Sequence, residues 1–163
     1  MTIRIAKIED LQSITDIYNE TIASRMVTAD TEMVSAKQRL EWFNSHYDNR
    51  PLFVYEQAGA VLAWLSFKSF YGRPAYSQTC EISIYIATQA RGKGLGNVLM
   101  DFAQSHAKLI DVSALLGFIF SHNTPSLSLF KRHGFKSWGE LPDIAKMDNS
   151  RYSLTIMGKH LDE

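Results

Sequence analysis

The sequence predicts an α+β fold with one mixed, mostly antiparallel sheet that is covered by helices. Apolar and aromatic runs at 52–55 and 61–67, separated by a polar turn at 57–59, predict an antiparallel pair of strands. A strand at 81–86 is followed by a long amphipathic helix and another strand at 115–120, which together form a βαβ passage. Because one short chain contains both patterns, we expect a sheet with both strand directions.

The elements at the N-terminal end follow from strand and helix periodicity. Residues 2–5 are predicted to form a short strand, and apolar residues in 11–22 recur at helical spacing. Ser35 stands three residues before Gln38, which is the capping-box pattern that begins a second helix. A loop is therefore expected at 24–33, between the two helices.

The C-terminal half alternates predicted helices and strands. A long helix is expected from about 94 to 110, and a short helix follows that Thr124 can cap and Gly134 can end. The final predicted elements are two strands, from 135–138 onward and at 152–157, and a loop between them that contains Pro142, Asp143 and Asn149.

Length and composition favour a single domain over residues 1–163 and exclude several classes of function. Seventeen basic and 17 acidic residues give a net charge of zero without a block of like charge, so neither nucleic acid nor a membrane surface is an expected partner. Cys80 is the single cysteine, and no paired Cys or His spacing suits zinc. No apolar run reaches the roughly 20 residues of a membrane span, and no signal peptide is recognised. We therefore expect a cytoplasmic protein without a metal.

The segment 91–97, RGKGLGN, connects a strand to a helix and has three glycines in five residues. Such a turn allows close backbone approach to a ligand, and the first amides of the following helix have no helical partner. The helix dipole also favours negative charge at this end, so a phosphate group is the expected ligand. The segment matches neither GxGxxG, because Leu99 replaces the third glycine, nor GxxxxGK[ST]. An ordinary turn with two solvated cations is the alternative.

The strand before this loop alternates apolar and polar residues. Isoleucines at 82, 84 and 86 face one side of the sheet because side chains alternate along a strand. A polar, ionisable face therefore leads toward the glycine-containing loop, and its residues are Glu81, Ser83 and Tyr85.

The order of these motifs resembles the GNAT superfamily of acetyl-CoA-dependent N-acetyltransferases, and within it the phosphinothricin acetyltransferase-like branch. The resemblance covers nearly the whole chain. It implies an α/β three-layer arrangement whose central sheet splays between strands 4 and 5, and it implies a homodimer. The segments that carry it are the strand 81–86, the RGKGLG loop, NTPSLSLFKRHGF at 123–135 and IYNETIASRMVT at 17–28.

The resemblance also implies where acetyl-CoA binds. In this superfamily the pyrophosphate of coenzyme A rests on the loop amides, and the pantetheine arm lies in the splay and pairs with the fourth strand like an added strand. Asn123 matches an Asn that binds the pantetheine arm, although a lone Asn before a helix is also ordinary turn chemistry. The implied binding residues are Ile84, Tyr85, Ile86, Arg91, Gly92, Lys93, Gly94, Leu95, Gly96, Asn97 and Asn123.

Glu81 is the candidate catalytic residue. Amines are mostly protonated at neutral pH, so attack on a thioester requires loss of a proton that a nearby carboxylate can take. A carboxylate that only binds the ammonium group is the alternative. Phe130 stands where the superfamily often has Tyr and this branch often has His. The general acid is therefore open between Tyr85, bulk water and no dedicated acid.

Arg73, in YGRPAY, matches a position that this branch uses around the acidic group of the acceptor, while an exposed turn arginine is the alternative. The expected function is acetyl transfer by direct attack to the primary amine of a small amino acid or similar compound, of the phosphinothricin or methionine sulfoximine type. A protein amino group or a polyamine as acceptor, and a non-catalytic acetyl-CoA-binding module, are the alternatives. The implied substrate-binding residues are Tyr71, Arg73, Glu81 and Ser83.

Overall fold

A computed structural model describes residues 1–162 of the chain. Seven strands form one sheet in the order β1-β2-β3-β4-β5-β7-β6, in which β4 and β5 are parallel and the other neighbours are antiparallel. The strands are β1 (Thr2–Ile5), β2 (Leu52–Gln57), β3 (Ala60–Ser69), β4 (Thr79–Ile86), β5 (Ala114–Phe120), β6 (Lys136–Met147) and β7 (Ser150–His160), and the α-helices are α1 (Leu11–Asn19), α2 (Ala36–Asn44), α3 (Leu95–Leu109) and α4 (Thr124–Arg132).

The core lies on both faces of this sheet. On one face, the indole nitrogen of Trp64 in β3 donates to the carbonyl of Ile14 in α1 over 3.1 Å. On the other face, the rings of Phe53 in β2 and Phe102 in α3 have centroids 4.8 Å apart. The ring of His106 in α3 also packs against Phe53, with centroids 4.8 Å apart. The mixed sheet covered by helices confirms the predicted fold class.

Helices α2 and α4 begin at caps that only partly follow the sequence prediction. For α2 the predicted capping box is present, because the amide of Gln38 donates to the Ser35 hydroxyl over 3.1 Å and the amide of Ser35 donates to the Gln38 side chain over 2.8 Å. For α4 the predicted cap Thr124 is wrong. Asn123 has the non-helical backbone and its side chain accepts from the amide of Ser126 over 3.3 Å, while Thr124 is already helical.

The first helix is shorter than its apolar spacing suggests. It ends at Asn19, and residues 20–25 continue as turns in which the amide of Thr21 donates to the carbonyl of Tyr18 over 3.0 Å. Ile22 is nevertheless buried, with 4% of its surface exposed. The turns after Asn19 therefore bury apolar residues at the spacing that a continued helix would have. For this reason the sequence pattern does not locate the end of the helix.

The loop predicted around Pro142 and Asp143 is also wrong, because β6 runs through both residues to Met147. The pairing register with β7 shifts between Leu141 and Ala145, so a bulge contains these two residues. Strand β6 is an edge strand, and a proline without an N–H group is tolerated there because no further strand has to be bonded. The turn is confined to 148–149, where both residues have positive φ.

Helix α4 approaches β5 closely through one glycine and one phenylalanine. A Cβ atom at Gly117 would lie 2.4 Å from a ring carbon of Phe130. Phe130 is buried with 5% exposure, and its ring centroid lies 4.9 Å from that of Phe135. Phe130 therefore belongs to the core.

Among residues 1–162, no helix is both long and apolar enough to span a membrane.

Replacing Gly117 with Ala should destabilise the protein by about 1–3 kcal/mol, because the added methyl group overpacks the contact with a buried ring. Gly139→Ala is the matched control, since its added methyl group would meet Ile156 at an ordinary 3.8 Å. Chemical denaturation of both variants measures the difference. Equal stability of the two variants would show that Phe130 does not fix the distance between α4 and β5.

Candidate active site

Strands β4 and β5 separate soon after they begin, as the predicted splay requires. They pair over three residues each, Thr79–Glu81 with Ala114–Leu116. Beyond these pairs β4 continues to Ile86 and β5 to Phe120, and no strand of the described part of the chain lies between them. The facing backbone N–H and C=O groups therefore lack a partner strand, which suits a ligand that pairs in the manner of a strand.

The glycine-containing loop lies at the end of β4 where the splay is open. Gly92 and Gly94 have φ values of 75° and 82°, which only glycine adopts readily. The first helical bond of α3 runs from the amide of Val98 to the carbonyl of Gly94, so the amides of residues 95–97 have no helical partner. Within residues 1–162, no side chain caps this end. The arrangement therefore presents several N–H donors to an anion.

The remaining residues of the loop have separate roles. Gly96 has no positive φ, but it lies close to α4, because a Cβ atom there would make a tight contact of 3.2 Å with a methyl carbon of Leu129. The side chain of Arg91 turns back and its Nε donates to the carbonyl of Ile86 over 3.2 Å, which ties the loop to β4. Lys93 lines a cavity of about 290 Å³ on the side toward Gln57.

Glu81 lies on the last residue pair that β4 makes with β5, at the start of the splay. Burial raises the pKa of its carboxyl above the ordinary value, and Lys68, directly opposite on β3, partly offsets that effect. Within residues 1–162 no protein group donates a hydrogen bond to this carboxylate, because the Lys68 ammonium donates to the Ser45 hydroxyl instead. Glu81 is therefore a partly desolvated carboxylate whose acceptor capacity is free for a bound cation or proton.

A His–Ser pair, with His46 partly buried and Ser66 buried, lies on the same face of the sheet as this carboxylate, and the sequence analysis missed it. Nδ1 of His46 donates to the carbonyl of Phe43 over 3.1 Å, so Nε2 accepts from the hydroxyl of Ser66 over 2.7 Å. Burial lowers the pKa of His46 to about 4, so the ring stays neutral. Ser66 pairs with Ser83, on the same face as Glu81. No spacing signal in the sequence indicates this contact, because 20 residues separate His46 from Ser66.

Tyr85 is held between aromatic rings farther along the same face. Its ring stacks on Trp64 at 4.4 Å and lies 5.4 Å from Tyr18. Burial, and secondarily the neighbouring Tyr18, raise the pKa of Tyr85 above its ordinary value. A thiolate of ordinary pKa, about 8.5, is a weaker base than the anion of such a phenol, so proton transfer from Tyr85 to a thiolate is unfavourable. Among the three possibilities for the general acid, this disfavours Tyr85.

The loop between α1 and α2 crosses the open end of the splay. Nε of Arg25 lies 2.6 Å from a carboxylate oxygen of Asp148, in the β6–β7 turn. The carbonyl of Arg25 accepts from Nε2 of His122 over 2.8 Å, in the β5–α4 connection. Nδ1 of His122 is buried without a partner in residues 1–162. Arg25 therefore ties the segment that follows α1 to the half of the sheet formed by β5, β7 and β6.

The predicted acceptor residues divide between two places. Tyr71 is 70% exposed and stacks at 4.3 Å on Phe70, whose ring in turn stacks at 6.5 Å on Phe118 of β5. Arg73 lines a separate cavity of about 220 Å³ that Glu81 and Ser83 do not line. The structure therefore gathers Glu81, Ser83 and Tyr85 on one face but does not bring Arg73 into a shared cavity with them.

Among residues 1–162, no cluster of three or more potential metal ligands is found.

Comparison with known proteins gives four consistent findings. The model of the Acetyltransferase (GNAT) family matches residues 12–135. The chain is 53% identical to YwnH of Bacillus subtilis (strain 168), provisionally named a phosphinothricin acetyltransferase, over 99% of both chains. It is 29% identical to an L-methionine sulfoximine/L-methionine sulfone acetyltransferase of Salmonella typhimurium, over 100% of this chain and 96% of that protein. The structure of yncA from Salmonella typhimurium with its cofactor acetyl-CoA superposes with a TM-score of 0.92 at 29% identity, covering 100% of this chain and 95% of that one.

The Glu81→Gln variant should be less dependent on pH for its stability than the wild type. Because burial raises the pKa of this carboxyl in the folded state, the folded protein holds the proton more tightly than the unfolded chain does. The stabilising effect of protonation is complete below the unfolded pKa, about 4.3, and is lost as the pH rises through the raised folded value. Relative to the wild type, the variant should therefore be more stable at about pH 8 than it is at about pH 4.

Chemical denaturation at both pH values measures this difference. The exposed Glu9→Gln variant is the control for loss of one carboxylate at the surface. A constant difference between Glu81→Gln and the wild type across this range would contradict the assignment of Glu81 as a desolvated carboxylate.

Proposed function

Because the chain belongs to the acetyltransferase (GNAT) family and is an acetyl-CoA-dependent N-acetyltransferase, we propose that its acceptor is the primary amine of a small amino acid or amino-acid-like compound. The observation that carries this proposal is Glu81, a partly buried carboxylate that no protein donor occupies, at the start of the splay. The relatives are named after acetyl transfer to methionine sulfoximine, methionine sulfone or phosphinothricin. These names support an acceptor of this kind.

The splay and the loop fit acetyl-CoA. The amides of Gly92 to Asn97, with the cations of Arg91 and Lys93, are proposed to bind the pyrophosphate. The unpaired edge of Ile84, Tyr85 and Ile86 is proposed to bind the pantetheine arm, and Asn123 retains its side-chain NH₂ for that arm because the cap of α4 uses only its oxygen. When bound, the cofactor supplies an acetyl group that is activated as a thioester.

Glu81 is the proposed general base of the reaction. A protonated amine cannot attack, and the raised pKa of Glu81 brings its basicity closer to the value needed to accept the ammonium proton. Ser83, on the same face, is proposed to help orient the amine. The thiolate that leaves is a weak base near neutral pH, and neither Phe130, in the core, nor Tyr85, with its raised pKa, is suited to protonate it. Water is therefore the proposed proton source.

A protein amino group or a polyamine is the second candidate acceptor. The exposed Tyr71 and the wide separation of the strands give some support for a larger acceptor. Arg73 argues against a polyamine, because like charges repel. A non-catalytic module has no support, because Phe130 is explained by packing against Gly117.

The same proposal includes a single acetyltransferase domain over residues 1–163, a cytoplasmic location where acetyl-CoA is available, and a homodimer. Trp138 and Ile144 on the edge strand β6 are 45% and 58% exposed, and exposed apolar side chains on an edge strand suit association with a second copy. Light scattering of the purified protein determines the oligomeric state, and a monomer at micromolar concentration would remove the dimer from the proposal.

Incubation with acetyl-CoA and a panel of amines should release free thiol with small amino acids, methionine sulfoximine or phosphinothricin. The same assay with polyamines and a lysine-containing peptide is the matched comparison. Thiol release with those two and none with any amino acid would replace the first acceptor class with the second.

Glu81→Gln should lower kcat/KM by about 10²–10⁴, because the variant lacks a general base. In the wild type, kcat/KM should increase as the pH rises through the raised pKa of Glu81, and this limb should disappear in the variant. Steady-state rates across pH measure both effects, with Glu9→Gln as the control. A raised KM with unchanged kcat would show that Glu81 only binds the amine.

A further inference from the structure

We propose that Ser45 and Lys68 are positioning residues that keep the place beside Glu81 open for the amine of the acceptor. Lys68 is the cross-strand neighbour of Glu81, and its ammonium donates to the hydroxyl of Ser45 instead of to the carboxylate. Ser45 holds one cation away in this arrangement, so that another can contact Glu81. This inference rests on the proposed function, in which Glu81 receives the protonated amine.

The backbone allows a salt bridge between Lys68 and Glu81. The two residues lie directly opposite each other on β3 and β4, so their side chains leave the same face of the sheet with Cβ atoms about 5 Å apart. The flexible four-carbon stem of a lysine spans such a distance. Nevertheless, no ion pair joins the two side chains. The position of the ammonium is therefore set by its other contact.

That other contact lies at the C-terminal end of α2. Ser45 caps this end, and its own hydroxyl donates to the carbonyl of Trp42 over 2.5 Å. Because the hydroxyl proton is used in this way, the oxygen presents its lone pairs to the ammonium of Lys68. The C-terminal end of a helix also favours a positive charge. Both effects stabilise Lys68 in a position away from Glu81.

Lys68 is the charged group that offsets the effect of burial on Glu81. Two other titratable groups near Lys68 are uncharged, because burial raises the pKa of the Cys80 thiol to about 12 and lowers the pKa of His46 to about 4. On β5 the residue paired with Glu81 is Leu116, which carries no charge. Among the described residues, Lys68 is therefore the cation that competes with the amine for this carboxylate.

A structural contact and a positioning contact predict different results. If the Ser45–Lys68 hydrogen bond only stabilises the end of α2, loss of either partner has the same consequence. If Ser45 holds Lys68 away from Glu81, loss of Ser45 brings the cation to the carboxylate, whereas loss of Lys68 removes the cation. The two variants then change Glu81 in opposite directions. Ser45 is exposed, so its replacement leaves the core intact.

Carbon-13 NMR titration of the Glu81 carboxyl group, whose signal is missing in Glu81→Gln, tests this arrangement without cofactor or acceptor. In Ser45→Ala the pKa of Glu81 should fall below the wild-type value, because the freed ammonium pairs with the carboxylate. In Lys68→Met it should rise above the wild-type value, because burial then acts without the offsetting charge. Ser45→Thr, which keeps a hydroxyl, should titrate as the wild type does. A Glu81 pKa that does not fall in Ser45→Ala would overturn the proposal.

Kinetics test the consequence for the amine, at a pH at which the titration shows Glu81 to be ionised in each variant. In Ser45→Ala the KM for the acceptor should rise about tenfold, because the Lys68 ammonium competes with the amine. The double variant Ser45→Ala/Lys68→Met should have a lower KM than Ser45→Ala, because the competing cation is gone. Ser105→Ala and Lys108→Met, both exposed on α3, are the matched controls and should keep the wild-type KM. An unchanged KM in Ser45→Ala, or a double variant without recovery, would overturn the competition.

The two measurements separate this inference from the proposed function. If Glu81→Gln keeps wild-type kinetics, Glu81 is not the base, and the titration still shows whether Ser45 holds Lys68 away from it. If Glu81→Gln loses activity but Ser45→Ala leaves the pKa of Glu81 unchanged, the base stands and the positioning role is removed.

Discussion

The separation of β4 and β5 after three residue pairs is the constraint on which the rest of the structure depends. A parallel pair normally continues along both strands, because each unpaired backbone group inside a protein costs free energy. Here one strand continues to Ile86 and the other to Phe120, and both are supported on their other edge by antiparallel neighbours. The sheet can therefore contain an opening in its middle without losing its core.

The opening is supported from three sides. Helix α4 lies against β5 because Gly117 leaves room for the ring of Phe130. Helix α3 begins at the end of β4, and Gly96 allows it to pack on Leu129 of α4. At the open end, Arg25 contacts both Asp148 and His122. Because these supports come from different segments, the opening is formed before any ligand binds, which reduces the entropic cost of binding.

The polar face of β4 shows how the same fold keeps a carboxylate reactive. Lys68 lies opposite Glu81 but donates to Ser45, so the cation reduces the cost of burial without occupying the carboxylate. His46 is neutral and accepts a hydrogen bond from the hydroxyl of Ser66. A salt bridge with Glu81 would lower its pKa and remove its capacity to accept a proton. The face therefore sacrifices some stability and keeps a carboxylate that can still accept a proton.

The sequence by itself determined the elements whose signals are local. The strand–loop–helix at 81–97, the capping box of Ser35 and the positive φ of Gly134 follow from short-range periodicity and turn chemistry, and the structure has all of them. The splay was predicted from a family resemblance, because no pattern within β4 or β5 indicates where the two strands separate. Only the tertiary structure decided that Asn123 caps α4, that β6 passes through Pro142 as an edge strand, that His46 meets Ser66, and that Arg73 shares a cavity with Arg50 rather than with Glu81. The last three depend on contacts between segments that are distant in sequence, and neither periodicity nor propensity contains that information. The cap is local, but Asn123 and Thr124 are adjacent and both residue types can cap a helix, so the sequence did not decide between them.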